Sequence, residues 1–132
     1  MSDKRNEVLE VLNDLLRMED VLACMLAKKG LDGIVPKTMK VKNVNLWSLI
    51  SRTTSTIFDL IDKFYDYGLD RLYFELGEYT VVIATIDRTF SLVVVIPSLA
   101  NMGLLDVEIE NSKRKIKDII KRKEPAKPAP SA

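Results

Sequence analysis

The chain has 132 residues, 47% of them apolar and 30% charged, with a formal net charge of +1. That length sets one domain with a real hydrophobic core, and that balance excludes a disordered chain. No apolar run approaches the roughly 18 residues of a membrane span, MSDKRNEVLEVL lacks the apolar stretch of a signal peptide, and the single cysteine forbids an intrachain disulfide, so the expected setting is the cytoplasm.

The first predicted helix covers residues 4–17. Val8, Val11, Leu12 and Leu15 recur at i, i+3, i+4 and i+7, and Asp3 is placed to cap it. Val21 to Ala27 (VLACMLA) is apolar throughout, as an inner strand must be, with Cys24 as a core residue in its middle. Lys28 to Gly33 reads as a turn, and Ile34-Val35 as the start of a short returning strand limited by Pro36, hence an edge.

The longest helix runs from about Val44 to Tyr67, capped by Asn43 or Asn45 and ended by Gly68. Trp47, Ile50, Thr54, Ile57, Ile61 and Phe64 form one stripe. Leu46, Leu49, Thr53 and Leu60 form a second beside it, and Phe58 and Tyr65 flank the first on its other side. At ~100° per residue the non-polar arc spans roughly 200°. A helix lying on a sheet uses about half of that, so the excess calls for cover from the chain's own ends or from a second subunit.

RLYFELGEYTVVIATIDRTFSLVVVI, from Arg71 to Ile96, reads as three strands joined at Gly77-Glu78 and at Asp87-Arg88-Thr89. In the first, Leu72, Phe74 and Leu76 alternate with Arg71, Tyr73 and Glu75, as on an outer strand. The other two are apolar on nearly every residue and require cover on both faces. Asn101 caps a last helix starting near Met102, with Leu105, Ile109, Ile116, Ile119 and Ile120 on its apolar stripe. The expected domain is 1–123, followed by a disordered proline-containing tail, 124–132.

Charge is unevenly spread. Residues 1–112 carry 12 Lys/Arg against 17 Asp/Glu, whereas residues 113–132 carry 8 against 2. Basic residues near a helix C-terminus complement its dipole, and an acidic body repels phosphates, so this asymmetry argues against a nucleic-acid binder. Catalysis is not expected either. Histidine is absent and one cysteine cannot build a zinc site. The five glycines form no phosphate loop or dinucleotide fingerprint, and no cofactor or metal is implied.

The order helix, strand, strand, long helix, three strands, helix resembles the roadblock family, the dynein-light-chain-like domains also found in GTPase regulators and in prokaryotes, including many archaea. The resemblance covers about residues 5–122. It is carried by Val21 to Gly33, the long helix, the Val/Ile meander and Asn101-Met102-Gly103-Leu104-Leu105. Lys28-Lys29 departs from the Asp-rich turn common in the family.

The resemblance implies an α/β fold of the α+β, roadblock/profilin-like kind. Its five-stranded antiparallel sheet has order 2-1-5-4-3, with the long helix on one face and the terminal helices on the other. It also implies a homodimer joined through the third strand and the long helix, which nominates Thr53, Ile57, Leu60, Phe64, Arg71, Tyr73 and Glu75 as interface residues. The implied function is a non-catalytic scaffold or regulator that binds a small Ras-like GTPase. The alternative is a profilin- or longin-like adaptor for cytoskeletal or trafficking proteins.

Overall fold

A computed structural model describes residues 2–37, 39–42 and 44–122. The elements are α1 (Ser2–Leu16), β1 (Ala23–Lys28), β2 (Leu31–Ile34), α2 (Val44–Phe64), β3 (Arg71–Leu76), β4 (Tyr79–Thr85), β5 (Phe90–Pro97) and α3 (Met102–Lys121). All five strands join one antiparallel sheet in the order β2-β1-β5-β4-β3.

The runs apolar on both faces, β1, β5 and β4, occupy the three inner places. Alternation along them sorts their side chains into two cores. Cys24, Leu26, Val82, Ala84, Leu92 and Val94 point toward α1 and α3, while Ala23, Met25, Val81, Ile83, Val93 and Val95 point toward α2. Leu12, Leu105, Ile109 and Ile116 close the first core, and Phe58 and Ile61 are the most buried residues that α2 gives to the second. No helix among the described residues is long and apolar enough to cross a membrane.

Several boundaries differ from the sequence expectation. Helix α1 begins at Ser2, so Asp3 lies inside it and does not cap it. Asn45 sits in the first turn of α2, while Asn43 and the tail 124–132 lie outside the described residues. The last turn of the long helix tightens to a 3₁₀ turn, Tyr65–Tyr67, which Gly68 ends in the left-handed conformation at φ 87°.

The β1–β2 turn is only Lys29-Gly30, and β2 starts at Leu31, three residues earlier than expected. Gly33 has the composition of a turn but lies in the strand itself. The pairing register shifts there between Leu26 and Lys28, and a Cβ on Gly33 would overlap the Leu26 carbonyl oxygen and the Met25 methyl group. Its glycine is needed for close approach of two backbones, as at a bulge.

Gly33→Ala is therefore expected to destabilise the fold by about 2 kcal/mol, read as a lower urea midpoint. Thr85 and Ser91 sit opposite each other across β4 and β5. Both hydroxyls are buried with no hydrogen-bond partner among the described residues. Thr85→Val, which keeps the shape and removes one orphan, should raise the urea midpoint by the equivalent of about 1 kcal/mol.

Candidate functional site

The side of the molecule bounded by β3 and α2 is left open. Strand β3 is the sheet's last strand, and no described strand pairs on its outer side. Leu76-Gly77-Glu78-Tyr79 closes a two-residue hairpin, with Gly77 at φ 65°. In such a hairpin the exchange of main-chain hydrogen bonds alternates along the ladder. The bond from Thr85 N–H to the Asp70 carbonyl fixes the phase. Leu72, Phe74 and Leu76 consequently bond to β4, whereas the N–H and C=O groups of Arg71, Tyr73 and Glu75 point outward from the free edge.

Beside that edge lies a groove of about 690 Å³ between α2 and β3, lined by Leu49, Thr53, Ile57, Leu60, Phe74 and Leu76 among others. Asp59 and Lys63 stand at its rim. Leu49 is 52% exposed and Leu76 42%, large values for leucines facing a common depression. The threonines Thr53 and Thr56 face outward with small side chains, and Thr53 Oγ1 bonds back to the Leu49 carbonyl at 2.9 Å.

The nominated residues thus separate into groups. Thr53, Ile57 and Leu60 line the groove. Phe64 lies nearly half exposed at the end of α2 and does not line it. Tyr73 and Glu75 offer the backbone edge, and their exposed side chains stand on the other face of the sheet.

Arg71 is different in kind. Its guanidinium reaches under the edge to α3, bonding Asp106 at 2.5 Å and Glu110 at 2.7 Å, with the Tyr73 hydroxyl at 3.2 Å. Its side chain is only 12% exposed. Burial opposes its charge, but the bonds to Glu110, Tyr73 and Asp106 outweigh this and hold its pKa above the ordinary arginine value. Arg71 is a brace between β3 and α3, with its guanidinium already engaged. Arg52, on α2, is exposed, with Nε 3.4 Å from the Ser48 carbonyl.

Periodicity missed the ties at the far end of α2. Asp62 accepts from Lys29 of the β1–β2 turn and also pairs with Arg88 of the β4–β5 turn at 3.6 Å. Arg88 bonds Asp66 at 2.5 Å and stacks on the Tyr65 ring. Two hairpin tips thereby hold the C-terminal end of α2. Asp62 and Asp66 are thus engaged by residues of distant turns, which helical periodicity does not reveal.

Cys24 is not placed to act as a nucleophile. Cys24 is buried, its thiol donates to the Leu12 carbonyl at 3.3 Å, and burial pushes its pKa up to about 12. Among the described residues no group of three or more His, Cys, Asp or Glu could hold a metal ion.

A sheet of this order with one long helix on one face and two terminal helices on the other has the architecture of the roadblock/LC7 domain. Among solved structures, Myxococcus xanthus MglB superposes with a TM-score of 0.69 at 15% identity, covering 92% of this chain and 94% of that one. A Roadblock/LC7 domain from Streptomyces avermitilis gives 0.60 at 17% identity, over 84% and 95%. An MglB in a tetrameric arrangement gives 0.64 at 16% identity, over 88% and 89%. No family model and no curated protein matches the sequence. The likeness establishes the fold.

The Asp62 carboxyl is held below its usual 3.8, chiefly by the hydrogen bond from Lys29, with desolvation opposing it and the charges of Lys29 and Arg88 adding to the lowering. A depressed carboxylate stabilises the fold above its unfolded pKa, and that contribution is lost as pH falls through the folded value. Between about pH 5 and pH 2 the urea midpoint of Asp62→Asn should fall less steeply than that of the native chain.

Proposed function

We propose that this chain is a roadblock-type protein that works as a homodimer, joined through β3 and α2, and serves as a non-catalytic scaffold for a small Ras-like GTPase in the cytoplasm. One observation carries the reading: an outward-pointing row of backbone N–H and C=O groups at Arg71, Tyr73 and Glu75 borders an apolar groove of about 690 Å³. A second copy related by a two-fold axis satisfies both at once. Antiparallel pairing of two β3 edges makes a ten-stranded sheet, and each α2 is brought against its counterpart over Leu49, Leu60 and Leu76. The outward threonines Thr53 and Thr56 allow the helices to approach closely. The tetrameric arrangement of one structural neighbour supports self-association of this fold.

The GTPase reading follows from the likeness to roadblock proteins and from the kind of surface present. A continuous sheet with paired long helices is broad and rigid, suited to gripping a folded partner. With no histidine and a buried, protonated Cys24, such a protein acts on the partner's geometry and not on a bond of its own.

Tyr73→Pro deletes an outward N–H and leaves the β3–β4 ladder intact. In light scattering at low concentration and high salt, the native chain of 15.0 kDa is expected near 30 kDa and the variant near 15 kDa, both with native circular dichroism. A native chain at single-copy mass at every loading overturns the dimer. Pull-down of small GTPases from the same organism, loaded with GDP or a GTP analogue, tests the partner. Retention in one nucleotide state is expected, and failure in both states overturns the GTPase reading.

A further inference from the structure

The layer formed by α1 and α3 has a hole at one end and a knob at the other. Helix α1 lies antiparallel beside α3, with Glu7 paired to Arg122 where the two ends meet. There a groove of about 390 Å³ opens over Val8, Phe90, Ile119 and Ile120, and its lining carries Lys4, Arg5 and Lys28 but no acidic residue. Neither Lys4 nor Arg5 makes an ion pair among the described residues, although the charge of Lys4 is felt by Glu7, and Lys28 rests over the Phe90 ring.

About 22 Å away along α3, at ~1.5 Å per residue, the opposite end of the layer projects apolar side chains. Leu99 is 96% exposed, Leu104 61% and Val107 54%. The acids beside them are Glu108, one turn on from Leu104, and Glu78, whose carbonyl accepts from Ser98 N–H. Neither carboxylate has an ion-pair partner among the described residues.

We propose that these two surfaces dock on each other in different copies of the chain, with Leu99 and Leu104 of one copy entering the basic groove of the next. Sign, shape and polarity agree. Protruding leucines meet a concave apolar floor, and unpaired carboxylates meet unpaired cations. The same match disfavours other occupants. The apolar floor lies in a concavity that a flat bilayer does not enter, and phosphate binding alone needs no such floor. The contact joins unlike patches, so it is head-to-tail and propagates copies into a row or a ring. It uses the face of the sheet opposite the groove between α2 and β3, and stands whether or not β3 edges pair.

The test uses the full chain in sedimentation velocity at rising concentration, at low and high salt. Native protein should show mass increasing beyond the edge-paired unit, with the increase suppressed by salt. Lys4→Glu with Arg5→Glu should weaken this growth at least roughly tenfold, as should Glu78→Lys with Glu108→Lys. Mixing the two double variants should restore a salt-sensitive contact between unlike partners. Growth unchanged by either variant, no growth in the native chain, or failure of the mixture to recover it overturns the proposal. Salt-sensitive retention on anionic vesicles or on nucleic acid, without growth in mass, overturns it as well. Tyr73→Pro tests the other joint independently, because it changes the repeating unit and not the head-to-tail contact.

Discussion

One helix cannot cover five strands. Strands about 4.8 Å apart make a sheet roughly 19 Å from first axis to last, whereas a helix with its side chains is about 10 Å across. On one face, α1 and α3 lie side by side and close the core over Leu26, Val82, Leu92 and Val94. On the other, α2 stands alone, buries Ile50, Phe58 and Ile61 against the inner strands, and leaves a strip over β3 uncovered. The apolar groove beside the open edge is a consequence of that width mismatch. It needs no special residue, only a sheet one helix too wide.

Much of this was legible in the chain because two periods dominate it. Runs such as VVIA and LVVVI, apolar on consecutive residues, can only be inner strands, and they are β4 and β5. The alternation in RLYFEL marks an outer strand, and β3 is one. The over-wide apolar arc of α2 was equally plain, and Leu49, Leu60 and Phe64 remain exposed in the described structure. Periodicity did not center that arc correctly. Phe58, read as flanking, is buried, while Phe64, read as part of the main stripe, lies half open.

What escaped the sequence depends on groups far apart in it. Arg71 looked like an edge residue because its neighbours alternate, yet its partners Asp106 and Glu110 lie 35 and 39 residues away. Spacing along α2 shows nothing of what Asp62 and Asp66 meet, but Lys29 and Arg88 arrive at them from two separate hairpin tips. Gly33 carried the composition of a turn, and its place inside β2 is set by the proximity of Leu26 across the ladder. The basic run from Lys113 on reads as a complement to the dipole of α3. Part of it is spent on Asp70 and Glu7, and the Arg122–Glu7 pair ties the end of α3 to α1.

The environment of Cys24 has a practical corollary. A thiol with a pKa near 12, enclosed by the α1–α3 core and bonded to a carbonyl, is almost wholly protonated in neutral buffer. While folded, the native chain is therefore silent toward maleimides and other thiolate-seeking labels. A fluorophore or spin label on an introduced surface cysteine would report from that one position, with the native thiol left in place.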